Sequence, residues 1–96
     1  MQGGWVYIMT NGPSGTLYTG VTSNLRARVY QHRIGVGSEF CARWGLIRLV
    51  HAELFPTVLE AIAREKALKR WKRGWKLDLI AKSNPEWRDL FDTINA

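Results

Sequence analysis

Trp5-Val6-Tyr7-Ile8-Met9 is an unbroken apolar run of strand length and predicts a buried strand. Leu17, Tyr18, Thr19 and Val21 suit a pleated surface and predict a second, with Gly20 placed where backbone can come close to another group. Thr10 to Thr16 between them holds Asn-Gly, Pro-Ser and a further Gly, so the two strands are expected to pair as an antiparallel hairpin. Leu46 to Phe55 predicts a third strand, apolar enough at its start to be a central one, in which His51 is satisfied locally.

The remaining segments follow a helical period. Thr22, Ser23 and Asn24 are all capping types, and a helix is expected from about Asn24 to Arg33. Ile34 to Ser38 reads as a flexible connection. Thr57 and Glu60 form a capping box after Pro56, opening a helix expected to reach about Arg73 and Gly74. Trp75 to Lys82 predicts another, and Ser83-Asn84-Pro85-Glu86 a last short one with Pro85 at its first position. There is no repeat and no internal boundary. The order β-β-α-β-α-α predicts a single α+β domain over residues 1–96, a three-stranded, mainly antiparallel sheet flanked by helices.

Composition narrows the class. The single Cys41 cannot form an internal bridge, and one Cys with two His at unconventional spacing offers no zinc site. No charged n-region and no apolar run of spanning length is present, so the chain is expected in the cytoplasm, away from membranes. The formal charge is +6, from 14 Lys+Arg against 8 Asp+Glu, which predicts attraction to polyanions, nucleic acid foremost. Arg64, Lys66, Lys69, Arg70, Lys72, Arg73 and Lys76 contribute seven of the 14 cations in one nearly single-signed run, with Lys66, Lys69, Arg70 and Arg73 on one helix face. Trp71 and Trp75 within that run serve either as helix anchors or as base-stacking platforms; with the connection from Ile34 to Trp44 they are the candidates for specificity, and aromatic groups beside a basic helix lean toward single-stranded or branched DNA.

Two places carry candidate chemistry. Arg28 and His32 lie four apart on one helix face, a short connection away from Tyr18, so a phenol, a guanidinium and an imidazole can converge. In the second helix Val58, Ala61, Ile62 and Leu68 mark an apolar face that also holds Glu65. A carboxylate among apolar neighbours must be ion-paired, metal-bound or protonated, because burying it bare is costly.

These residues resemble the GIY-YIG nuclease superfamily, and most closely its small stand-alone bacterial members. Trp5-Val6-Tyr7 corresponds to the first signature, with Trp5 in place of its Gly, and Tyr18-Thr19-Gly20 to the second, the two Tyr eleven positions apart. Asn24-Leu25-Arg26-Ala27-Arg28 with Gln31-His32 resembles the helix of the essential Arg, and Ala61-Ile62-Ala63-Arg64-Glu65 that of the metal-binding Glu. Asn84-Pro85-Glu86-Trp87 resembles the end of the small members. The resemblance implies hydrolysis of a DNA phosphodiester with one Mg²⁺ or Mn²⁺. It places Tyr7 and Tyr18 in the site, Arg28 on the scissile phosphate, His32 in proton transfer and Glu65 on the metal. The expected DNA contacts are Lys66, Lys69, Arg70, Arg73 and the distal Asn84. Some members carry Lys after the second Gly, where this chain has Val21. Either Tyr18 or His32 then deprotonates the water: a free phenol, with a pKa near 10, needs nearby positive charge for that role, whereas an imidazole does not. The alternative is a basic DNA-binding module with a silent site.

Overall fold

The computed structural model describes residues 3–94 of the 96. It is an α+β fold: a three-stranded antiparallel sheet with helices on both faces. Strand β1 (Gly4–Thr10) pairs with β2 (Leu17–Thr22) through the expected hairpin and with β3 (Arg48–Phe55) on its other side, giving the order β2-β1-β3. The central strand is therefore β1 and not β3. Leu46 is fully buried but precedes β3, so the apolar start of that stretch fills the core without joining the sheet.

Strand alternation sends neighbouring residues to opposite faces, and each face has its own cover. Tyr7, Met9 and Leu49 point to one side, where they pack with Leu25 and Val29 of α1 (Leu25–Arg33), Cys41 of α2 (Glu39–Trp44), and Leu90, Phe91 and Ile94 of the C-terminal segment. Val6, Ile8 and Val50 point to the other, under Ala61 and Leu68 of α3 (Val58–Arg70) and Ile80 of α4 (Arg73–Ser83). The Asn24 side chain accepts from the Ala27 amide to start α1, and Thr57 accepts from the Glu60 amide to start α3, as the cap residues predicted.

Three expectations about the helices are corrected. The Ile34–Ser38 connection is followed, where no element was expected, by a six-residue helix, α2, capped by Ser38 and closed by Gly45 at φ 68°. The boundary between the next two predicted helices lies earlier than Arg73 and Gly74: Trp71 and Lys72 adopt extended backbone between α3 and α4. The indole of Trp71 packs beside Leu68 under the Arg64 guanidinium, 5.1 Å away, while Arg73 of α4 donates to the Ser14 and Gly15 carbonyls of the hairpin loop, each at 2.7 Å. Finally, Pro85 starts no helix. The Asn84 amide nitrogen donates to the Val50 and Arg88 carbonyls and its oxygen accepts from the Arg88 amide, tying an irregular tail to β3. A short 3₁₀ turn follows at Phe91–Thr93.

Candidate active site

The β1–β2 register sets Tyr7 opposite Gly20 and Met9 opposite Tyr18, so both phenols lie on the α1 side of the sheet. Gly20 is what lets Tyr7 lie down. A Cβ built there would fall 2.4 Å from the Tyr7 hydroxyl and 2.5 Å from Cζ, so the phenol crosses the sheet over the bare backbone of its partner strand. The Tyr7 and Tyr18 ring centroids are 6.3 Å apart. His32, the last buried residue of α1, closes the group, its ring 5.6 Å from Tyr7 and 5.4 Å from Tyr18.

His32 Nε2 meets the Tyr7 hydroxyl at 2.9 Å, and Nδ1 is buried without a hydrogen-bond partner among the described residues. The loop after α1 seals that nitrogen: a Cβ on Gly37 would stand 2.7 Å from it. Burial, helped by the nearby Arg28 charge, lowers the His32 pKa to about 4, so the ring is neutral at pH 7. Burial likewise pushes the Tyr7 hydroxyl up to about 12, against the opposing pull of Arg28. Arg28 is only half-buried. Its guanidinium faces the Tyr7 hydroxyl, whose contact raises the Arg28 pKa further, and it feels Tyr18 as well. It also donates to Gln31 Oε1 at 3.0 Å, leaving most of its five N–H donors for a ligand.

Glu65 comes from α3, which packs on the face of the sheet opposite the phenols. Its side chain is 12% exposed and one oxygen holds the Lys69 ammonium at 2.7 Å. The Glu65 contact is the main reason the Lys69 pKa is raised, and the Tyr18 phenol adds to the rise. Among the apolar-face alternatives, Glu65 is thus ion-paired here, to a lysine one turn on. The other Glu65 oxygen has no hydrogen-bond partner among the described residues. No group of three or more His, Cys, Asp or Glu forms a ligand cluster among the described residues. One carboxylate with an open oxygen fits a hydrated Mg²⁺ or Mn²⁺, which retains waters, and not zinc, which needs three or four protein ligands.

With this geometry in view, residues 3–78 match the GIY-YIG catalytic domain. The chain belongs to the GIY-YIG family. It is 36% identical over 87 residues to a UPF0213 protein of Syntrophus aciditrophicus, covering 90% of this chain and 98% of that one. It is also 36% identical over 80 residues to one from Clostridium perfringens, covering 83% and 86%. The solution NMR structure of a UPF0213 protein from Bacillus halodurans superposes with a TM-score of 0.57 at 29% identity, over 91% of this chain and 92% of that one. The GIY-YIG domain is a nuclease domain, which implies a DNA substrate, and such nucleases generally use a divalent metal. No described helix is long and apolar enough to cross a membrane.

The basic GIY-YIG helix face does not hold together as the spacing predicted. Lys69 turns to the Glu65 side, Arg73 belongs to α4 and is fastened to hairpin carbonyls, and Arg64 forks onto Glu53 at 2.8 and 3.2 Å. Lys66 and Arg70 remain exposed on α3. Asn84 is 6% exposed with its amide fully engaged in the tail, so it presents nothing to a nucleic acid in this conformation. Two site neighbours were absent from the sequence reading. Buried Cys41 of α2 backs Tyr7 and Arg28, and Phe40 stacks on Tyr18 at 6.2 Å. The Ser38 cap and Gly45 stop were the available signals for the helix that brings them there.

Proposed function

We propose that the protein is a divalent-metal-dependent endonuclease that hydrolyses a DNA phosphodiester at the Tyr7–Tyr18–Arg28–His32 cluster, with Glu65 holding one Mg²⁺ or Mn²⁺. The observation that carries this reading is the convergence of two phenols, a buried imidazole and a half-exposed guanidinium, with the Lys69 partner of Glu65 close enough to feel the Tyr18 phenol. Arg28 forks onto the non-bridging oxygens of the scissile phosphate and offsets the charge that grows there. Tyr18, the more open of the two phenols, first gives its own proton to solvent and as the phenolate then takes the proton from the attacking water. His32 does not: it is neutral, sealed from solvent and already bonded to Tyr7. Its part is to fix the Tyr7 hydroxyl, which stays protonated and orients Arg28 from beneath. When bound, the metal ion stabilises the 3′ leaving oxygen. Glu65 orients it, and Lys69 supplies positive charge beside Tyr18 where Val21 replaces the Lys found in some relatives.

The test is cleavage of single-stranded, duplex, flap and four-way DNA by wild type and Arg28→Ala, each with and without chelator. Wild type cuts at least one form only with metal. Arg28→Ala loses about 10²-fold or more in rate, the size of one lost oxyanion donor. The silent-module reading has one observation in its favour, the Lys69 ammonium occupying a Glu65 oxygen. It predicts salt-sensitive binding and no cut in any arm.

A further inference from the structure

Helix α2 carries two aromatic side chains that the fold leaves open beside Tyr18. Phe40 stacks on the Tyr18 ring with planes at 29°, yet is 43% exposed. Trp44, four residues on and so on the same side of the helix, is 53% exposed, with the Arg43 guanidinium 5.9 Å from its ring. Together with Glu39 they line a concavity of about 370 Å³. The core has no use for them, since Cys41 is the one buried residue of this helix. Trp71 and Trp75 offer less: they meet edge to face at 6.0 Å, and Arg64 covers Trp71.

We propose that α2 is a base-stacking ledge on which an unpaired nucleobase, next to the phosphate held by Arg28, lies against Phe40 and Trp44. The ledge makes single-stranded DNA the preferred substrate. This rests on the nuclease reading of the neighbouring site. Three features favour a base over any other occupant. Aromatic faces take bases of any sequence, and the faces of a paired base are already stacked within the duplex. The ledge adjoins Tyr18, on whose ring Phe40 stacks, so it lies next to the cluster that holds Arg28. Glu39 puts a carboxylate in the lining, which repels a phosphate but accepts a hydrogen bond from a base amino group. The net charge of +6 and Arg43 supply the attraction that brings the strand in.

The experiment uses a single-stranded oligonucleotide carrying 2-aminopurine, whose fluorescence is quenched by stacking, titrated into the protein in chelator so that nothing is cut. Wild type quenches the probe and binds it more tightly than a duplex of equal length. Phe40→Leu and Trp44→Leu each reduce the quench and weaken single-strand binding by about tenfold, the size of one base–aromatic stack, while duplex affinity is unchanged. Circular dichroism establishes that both variants are folded; Trp44, which does not touch Tyr18, guards against an indirect effect of Phe40. Equal quench and equal affinity in wild type and both variants overturns the ledge. So does a wild type that favours the duplex. Because no readout depends on cleavage, a protein that stacks the probe on Phe40 and Trp44 but never nicks DNA contradicts the nuclease reading and leaves the ledge standing.

Discussion

Gly20 holds the geometry of the site in one missing side chain. With Tyr7 lying across it, any Cβ forces the phenol off both His32 and Arg28. Gly20→Ala is expected to cost about 1–3 kcal/mol of stability, the range for overpacking a filled site, and to lower cleavage at least tenfold. Urea unfolding and a nicking assay on the same preparation check both. His32 gives a second expectation at this scale. Its folded pKa of about 4 lies below the unfolded value near 6.5, so the unfolded chain takes up a proton that the native ring refuses. Its contribution is full above pH 6.5 and is lost as pH falls toward 4, a drop on the order of 3 kcal/mol. Urea midpoints in that window should slope for wild type and flatten in His32→Gln; equal slopes contradict the burial argument. A glycine in a strand was enough to announce the close approach at Gly20. The burial and neutrality of His32 were not readable, because they come from a loop five residues on and a strand twenty-five residues back.

At the scale of elements, the hairpin, α1 and the start of α3 follow from local chemistry: turn residues, Asn24 as cap, and the Thr57/Glu60 box. The elements that differ from expectation are those whose shape is decided by distant partners. The chain breaks at Trp71 with no Pro or Gly there, because the Trp71 indole and Arg73 find their partners in opposite directions. α2 buries too little to show a periodic stripe. The tail bends at Asn84 because its amide bonds β3, so a cap residue type was read correctly as polar and assigned the wrong partner. Two α3 contacts are testable. Glu53 is held below the usual carboxylate range: burial alone raises it, but the Arg64 and His51 bonds outweigh that. Arg64→Met leaves the carboxylate with His51 alone and is expected to cost about 2 kcal/mol in thermal or urea unfolding, less than a fully buried pair because both groups are partly wet. Lys69→Met frees the second Glu65 oxygen and removes a competing cation. The Mn²⁺ concentration for half-maximal cleavage should then fall severalfold, and an unchanged value separates Lys69 from the metal site.

The molecule as a whole is a small sheet with the phenols, imidazole and guanidinium gathered on the α1 side and the Glu65 carboxylate carried by α3 on the other, and the proposed site requires the two to meet at the β2 edge. Sequence spacing foresaw that Tyr18, Arg28 and His32 converge, since each sits at a fixed offset from a cap or a strand pairing. It did not give the DNA surface, because which of the cations stay free depends on tertiary partners: Arg64, Lys69 and Arg73 are all engaged. With a charge of +6, binding to DNA should weaken steeply between about 50 and 200 mM salt, as it does for proteins that displace several counterions. Glu65→Gln should keep that salt slope, since it removes no phosphate contact. The most direct test of the account is metal-titrated nicking by wild type beside Glu65→Gln, with folding checked by circular dichroism. Cleavage that rises with Mg²⁺ or Mn²⁺ in wild type and is absent from a folded Glu65→Gln is the predicted result; full metal-dependent cleavage in that variant contradicts it.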